Sequence, residues 1–206
     1  MEDIDKQPNK VILLGDTGVG KSCLIKVATD KGFDPEKSNT LTAFFVPKTF
    51  QLNDQEYTFN IWDTIGQEKY RSLTKLYFKN AIIVFLVYDI TSKKSFEALD
   101  FWHEQIKKEL EENSYILALV GNKKDLFDNE EISEEDGKEY ANQINAKFKL
   151  TSAKDDPLSF TTLLEELFTE YIQNTENKGT INTKKKSKSI SLKHNDKKDK
   201  KKRKCC

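Results

Sequence analysis

Val11-Ile12-Leu13-Leu14-Gly15-Asp16-Thr17-Gly18-Val19-Gly20-Lys21-Ser22-Cys23-Leu24-Ile25-Lys26-Val27-Ala28 is the stretch that decides the fold. Four aliphatic residues predict a buried strand, three glycines a turn, and Cys23 to Ala28 the continuation of a helix. Gly15 to Ser22 fits G-x-x-x-x-G-K-[ST] at that junction. The chemistry asks for these residue types. Glycines let successive backbone N–H groups, here those of Asp16, Thr17, Gly18, Val19 and Gly20, turn toward one anion, and a helix N-terminus adds its positive dipole end. Lys21 can reach the β- and γ-phosphates, the Ser22 hydroxyl can ligate Mg²⁺, and the Cys23 N–H lies near the α-phosphate with its side chain expected to face the core.

Outward from this stretch, strands alternate with helices. Ala43 to Leu52 and Glu56 to Trp62 are β-rich and separated by Asn53-Asp54-Gln55, a hairpin signal. Pro47 makes the first an edge strand, because proline cannot donate to a central ladder. Ala81 to Tyr88, the longest apolar run, and Tyr115 to Gly121 have the near-continuous hydrophobicity of parallel strands buried on both faces. Between them one helix is expected, with Phe96, Leu99, Trp102 or His103, Ile106 and Leu110 on a stripe. Another starts at Ser133 with Asp136 as an imperfect capping box. Lys147 to Leu150 is a short strand, and Asp156-Pro157 opens a last helix whose Phe160, Leu163, Leu164, Leu167, Phe168, Tyr171 and Ile172 are core packing. The pattern predicts an α/β fold, a mainly parallel sheet covered on both faces with one antiparallel edge hairpin.

The 206 residues suit one such domain with a tail. Net charge is formally zero, yet residues 178–206 hold twelve Lys and one Arg against Asp196 and Asp199, a net +11, so residues 1–177 carry −11. An acidic body is joined to a strongly basic end. Residues 1–8 are an N-terminal extension, 9–176 the folded domain, and 177–206 a polybasic tail expected to be disordered, with a reach of about 30 Å. Three cysteines, two of them Cys205 and Cys206, make no disulfide framework and suggest a reducing compartment. The first residues lack the pattern of a secretory signal, and no run is long enough to span a membrane.

Other residues narrow the ligand. Trp62-Asp63-Thr64-Ile65-Gly66-Gln67-Glu68 puts an acid at a strand tip, where Asp63 can hold the metal through water. Gly66 offers an unobstructed N–H to a γ-phosphate, and Gln67 can orient an attacking water. Gly121-Asn122-Lys123-Lys124-Asp125 closes a later strand. A carboxylate there accepts from two N–H donors of guanine, whereas adenine presents the opposite pattern at that edge.

With these motifs in this order the chain resembles the Ras superfamily of small GTPases, most closely its Rab branch, over about residues 9–175. Leu86-Val87-Tyr88-Asp89-Ile90-Thr91, Ser95-Phe96, and Trp62 ahead of Asp63 carry the Rab likeness. The resemblance implies the P-loop NTPase fold of a small G domain, six-stranded and mostly parallel with one antiparallel edge strand, with helices on both faces. It implies GTP or GDP with Mg²⁺ in the site. It matches Phe33 to the aromatic against the guanine and Thr40 to the threonine that meets Mg²⁺ and the γ-phosphate. Asp63 to Gln67 match the second switch, with Gln67 and Lys21 in catalysis. Asn122, Lys123 and Asp125 match the base-specificity motif, and Ser152-Ala153-Lys154 the last nucleotide loop.

Phe45, Trp62 and Tyr77 match an aromatic triad that effectors read, with a packed patch between strands and helix as the plainer alternative. Cys205-Cys206 resembles the double-cysteine terminus that carries geranylgeranyl groups. With the basic run it would meet the two-signal requirement for anchoring at the cytoplasmic face of an intracellular membrane, cycling with the cytosol. Exchange factor, activating protein, effectors, dissociation inhibitor and prenylation escort are the partners implied. The basic tail could alternatively serve nuclear import or nucleic acid, but it has no interleaved aromatics for stacking on bases.

Three positions depart from the family pattern: Thr42 for glycine, Ile65 for alanine in the second switch, and Thr17 in the phosphate loop. Together they raise the alternative of a GTP-bound scaffold with impaired hydrolysis. Another P-loop enzyme such as a small kinase would need a lid segment that the chain lacks. His103 and His194 have no partner motif for zinc or general-base work.

Overall fold

The computed structural model describes residues 9–29, 44–64 and 77–191, with the side chains of residue 44 and of 177–191 left aside. Contacts divide the chain into residues 1–168 and 169–206. In the first unit, six strands form one sheet in the order β2-β3-β1-β4-β5-β6. They are β1 (Lys10–Leu14), β2 (Phe44–Leu52), β3 (Gln55–Asp63), β4 (Ala81–Asp89), β5 (Ile116–Asn122) and β6 (Lys147–Leu150). Only β2 and β3 run antiparallel; every other neighbouring pair is parallel. The fold class expected from the sequence is the one observed, and Pro47 lies on edge strand β2.

The apolar runs become the centre of the sheet because burial on both faces leaves no position for a polar side chain. All of β1 is buried, as is all of β4 except Ile82. Alternate residues serve opposite faces. Ile12, Leu14, Val84 and Leu86 join Leu99, Trp102, Ile106, Ile132 and Ala141 in one core. On the other face Phe85 meets Phe160 edge to face, and Phe59 stacks on Phe168 with centroids 3.6 Å apart.

The described helices are α1 (Lys21–Ala28), α2 (Lys93–Glu97), α3 (Leu99–Glu109), α4 (Glu134–Gln143) and α5 (Pro157–Ser191), with a 3₁₀ turn at Lys124–Asn129. Three local details differ from expectation. The hairpin loop is only Asn53-Asp54, both at positive φ (51° and 61°), and Gln55 already pairs with Leu52; this is a two-residue turn whose twist suits a hairpin. The stripe from Phe96 to Leu110 belongs to two helices meeting at Ala98, with Ser92 capping the first through the Ser95 N–H. Within it Trp102 is buried and His103 only half-buried. At Ser133 the capping box is complete, since an aspartate at the third position still reaches back to the cap N–H at 3.1 Å. The last helix, α5, runs to Ser191, past Asn177, where apolar periodicity stops. Lysine is a good helix former, so loss of a buried face does not by itself end the backbone pattern.

Candidate nucleotide site

The five parallel strands β1, β3, β4, β5 and β6 bring their carboxyl ends to one edge of the sheet. At β1 the strand order turns, with β3 on one side and β4 on the other. Such a switch point is where open α/β sheets bind ligands.

From Leu14 the chain enters Gly15 to Ser22. Gly15 has φ 145°, and a Cβ there would lie 2.1 Å from the Val87 carbonyl oxygen. Gly20 has φ 99°, with a Cβ placed 2.3 Å from Asn122 Nδ2. At both positions the backbone conformation and the space exclude a side chain. Gly20 also stands at the N-cap of α1 with no side chain to cap it, leaving that role to an anion.

Lys21 is 5% exposed, and its Nζ donates to the carbonyls of Gly15 and Asp16, both at 2.8 Å. The loop is thus wrapped around its own ammonium. Burial pulls the Lys21 pKa down to about 8, against the opposing pull of the Asp63 and Asp16 carboxylates. A phosphate beside this ammonium would favour its charged form.

Asp63 is fully buried at the tip of β3, in register with Leu13 of β1. The next residue, Thr64, donates its hydroxyl to the Leu13 carbonyl at 2.5 Å, tying the exit of β3 to the strand that leads into the loop. The Ser22 hydroxyl and the Asp63 carboxylate are hard oxygen donors of the kind Mg²⁺ takes together with phosphate oxygens and water, so these residues fit that ion.

Asn122, Lys123 and Asp125 leave the end of β5. Asn122 is buried; its Nδ2 donates to the Val19 carbonyl at 2.8 Å and its Oδ1 accepts from the Thr151 hydroxyl at 3.2 Å. Its side chain therefore joins the phosphate loop to the loop after β6. Asp125 Oδ1 accepts from the Ser152 hydroxyl at 2.6 Å, and Ser152 Oγ in turn accepts from the Asp155 N–H. Ala153 is buried beside them, and Lys154 is exposed, 3.8 Å from Asp155. Lys123 sits at φ 67° with its ammonium against Asp89.

Cys23 is half-buried on α1, where Leu24, Ile25, Val27 and Ala28 are buried. Phe45 lies opposite Trp62 in register, their rings 5.2 Å apart, and Lys10 Nζ sits 4.3 Å from the Trp62 ring centre. Trp62 is buried, whereas Phe45 and Tyr77 pack against the same core while keeping exposed surface. Phe33, Thr40, Gly66, Gln67, Cys205 and Cys206, with Thr42 and Ile65, lie outside the described residues.

A model of the Ras family matches residues 10–177. The chain belongs to the Ras family of small GTPases, in its Rab branch. It is 42% identical to human Ras-related protein Rab-22A over 146 residues, covering 71% of this chain and 75% of that protein. Rat Ras-related protein Rab-31 is 42% identical over 77% of this chain and 78% of its own length. The GTP-binding protein ypt2 of Schizosaccharomyces pombe is 37% identical over 77% and 80%. In this Rab-type domain, reading by motif missed the residues that hold the motifs in place. Thr64, Asp89, Thr91 and Thr151 bear on the site only through neighbours; Thr64, Asp89 and Thr91 stand in stretches already singled out, and Thr151 does not.

Proposed function

We propose that this chain is a GTP/GDP switch of intracellular vesicle trafficking that hydrolyses GTP slowly with Mg²⁺. The observation that carries the reading is the loop wrapped around buried Lys21 at the sheet's switch point, with Asp63 across from it and the Asn122 side chain tying it to the base loop. Backbone N–H groups of Gly15 to Cys23 hold the phosphates, and Lys21 offsets charge on them. Phe33, Asn122, Lys123, Asp125 and Ser152 to Lys154 hold the guanine. Ser22 and Thr40 would supply oxygen donors for Mg²⁺ and Asp63 would hold it through water; the ion, when bound, would offset phosphate charge. Gln67 positions water and Gly66 meets the γ-phosphate; release of that phosphate frees both switches. Intrinsic rates in this class are about 10⁻⁴ to 10⁻² per second, so an activating protein with an arginine in trans is expected.

An exchange factor reloads GTP, effectors read Phe45, Trp62 and Tyr77, and a dissociation inhibitor and prenylation escort handle a geranylgeranylated Cys205-Cys206. Residues 177–206 form the basic tail that adds attraction to anionic lipid at the cytoplasmic face of an organelle. No helix among the described residues is long and apolar enough to cross a membrane.

The test loads purified protein with labelled GTP or ATP plus Mg²⁺, removes free nucleotide, and follows retained label and released phosphate through a single turnover. Retained GTP with slow release is expected. GTP retained without release would favour the scaffold with hydrolysis impaired by Thr17, Thr42 and Ile65. Retained ATP would overturn the base reading.

A further inference from the structure

The stretch Leu86 to Thr91 carries the Rab likeness, yet none of its residues is assigned above to contact nucleotide. Its acid, Asp89, is 8% exposed at the tip of β4, paired in register with Asn122. Both carboxylate oxygens are engaged. Oδ1 accepts from the Thr91 N–H at 2.9 Å and from the Thr91 hydroxyl at 2.7 Å. Oδ2 lies 2.5 Å from Lys123 Nζ.

The backbone of Asp89 is fixed just as closely. Its N–H donates to Ser95 Oγ at 3.0 Å, its carbonyl accepts from the Ser92 N–H at 3.0 Å, and the next N–H, of Ile90, donates to the Asn122 carbonyl at 3.1 Å. The carboxylate therefore has one orientation, with one oxygen held by Thr91 in the turn before α2 and the other presented to the base loop. Lys123 needs such a hold. It stands in the left-handed region at φ 67°, with a long side chain that has many rotamers and would otherwise sweep the solvent.

We propose that Asp89 is a positioning residue for guanine nucleotide: it fixes the Lys123 ammonium so that the lysine stem is already aligned along the base when nucleotide enters. A pre-aligned stem lowers the entropy lost on binding, which shows chiefly as slower release. The stretch that marks the branch thus has a mechanical role. It links the tip of β4, through the Asp89 carboxylate, to residence time on the nucleotide. This inference rests on the assignment of Asn122 to Asp125 as the base loop.

The experiment measures release of fluorescent GDP from the full chain and from Asp89→Asn, Lys123→Met, Thr91→Val and the Asp89→Asn/Lys123→Met pair. Asparagine keeps an oxygen for Thr91 but removes the charge facing Lys123, while Thr91→Val removes one partner of Oδ1 and leaves the ion pair. Asp89→Asn and Lys123→Met are each expected to speed release about tenfold or more. The double variant is expected to be no faster than Lys123→Met alone, and Thr91→Val to stay within about twofold of the parent. Release from Asp89→Asn at the parental rate would overturn the proposal. So would an Asp89→Asn effect that persists undiminished in the Lys123→Met background, since Asp89 would then act on the fold and not through the lysine. Failure of the parent chain to retain GDP at all, measured before any variant, would instead remove the base-loop assignment and this inference with it.

Discussion

The phosphate loop and the base loop meet at Asn122, but they are built by different means. Gly15 to Ser22 is shaped by backbone: three positive-φ glycines, two of them with no room for a Cβ, and a lysine folded back onto the loop's own carbonyls. The base loop is shaped by side chains. Asn122 binds Thr151, Asp125 binds Ser152, and Lys123 binds Asp89. A region specified by backbone geometry fails abruptly when a residue is changed, because nothing else can adopt its φ and ψ. One specified by a network of side chains loses function in steps.

Breaking the first region is expected to give the largest effect. In Gly15→Ala the new methyl would collide with the Val87 carbonyl at an already strained φ, so retention of GDP should be lost along with several kcal/mol of stability. Gly18→Ala is the matched control: nothing lies within 4 Å of its Cβ, so only the left-handed penalty of about 1–2 kcal/mol remains. Urea unfolding with and without GDP distinguishes the two. If both variants behaved alike, space would not be what sets the loop apart.

Asn122→Ala strikes the shared point. It strands the Val19 carbonyl and the Thr151 hydroxyl in a buried place, and the expected cost is about 2 kcal/mol with faster GDP release. Wild-type stability in this variant would mean that the two loops stand independently. Ser152→Ala takes one step out of the side-chain network. A loss of about 1 kcal/mol in denaturant unfolding is expected, with GDP still retained.

His103, on α3 outside both regions, sets the baseline. Desolvation, with nearby Lys107 adding to it, holds its pKa below 6.5 despite Glu104 and Asp100. The unfolded chain therefore binds the proton more readily, and this contribution to stability is present above about pH 6.5 and fades as pH falls through the folded-state value. His103→Gln should flatten that acid-side slope slightly and leave nucleotide release untouched. A changed release rate would show that α3 communicates with the site.

Much of this architecture could be read in the sequence because the physics is local. The runs in β1, β4 and β5 need burial on both faces, Pro47 needs an edge, and the glycine pattern needs a strand before it and a helix after it. The stripe from Phe96 to Leu110 concealed the break at Ala98, since a periodic apolar face does not report whether the backbone beneath it is continuous. In the site, motif residues were legible by type, but the double engagement of Asn122 and the hold of Asp89 on Lys123 depend on neighbours far along the chain.

The bond from Asn122 to Val19 spans 103 positions. During synthesis the phosphate loop leaves the ribosome early, while the side chain that braces it is not yet made. At about 5–20 residues per second the interval is roughly 5–20 s. The nascent chain thus carries its glycine loop unbraced while about half of its length is made, until β5 has emerged and closed on β4.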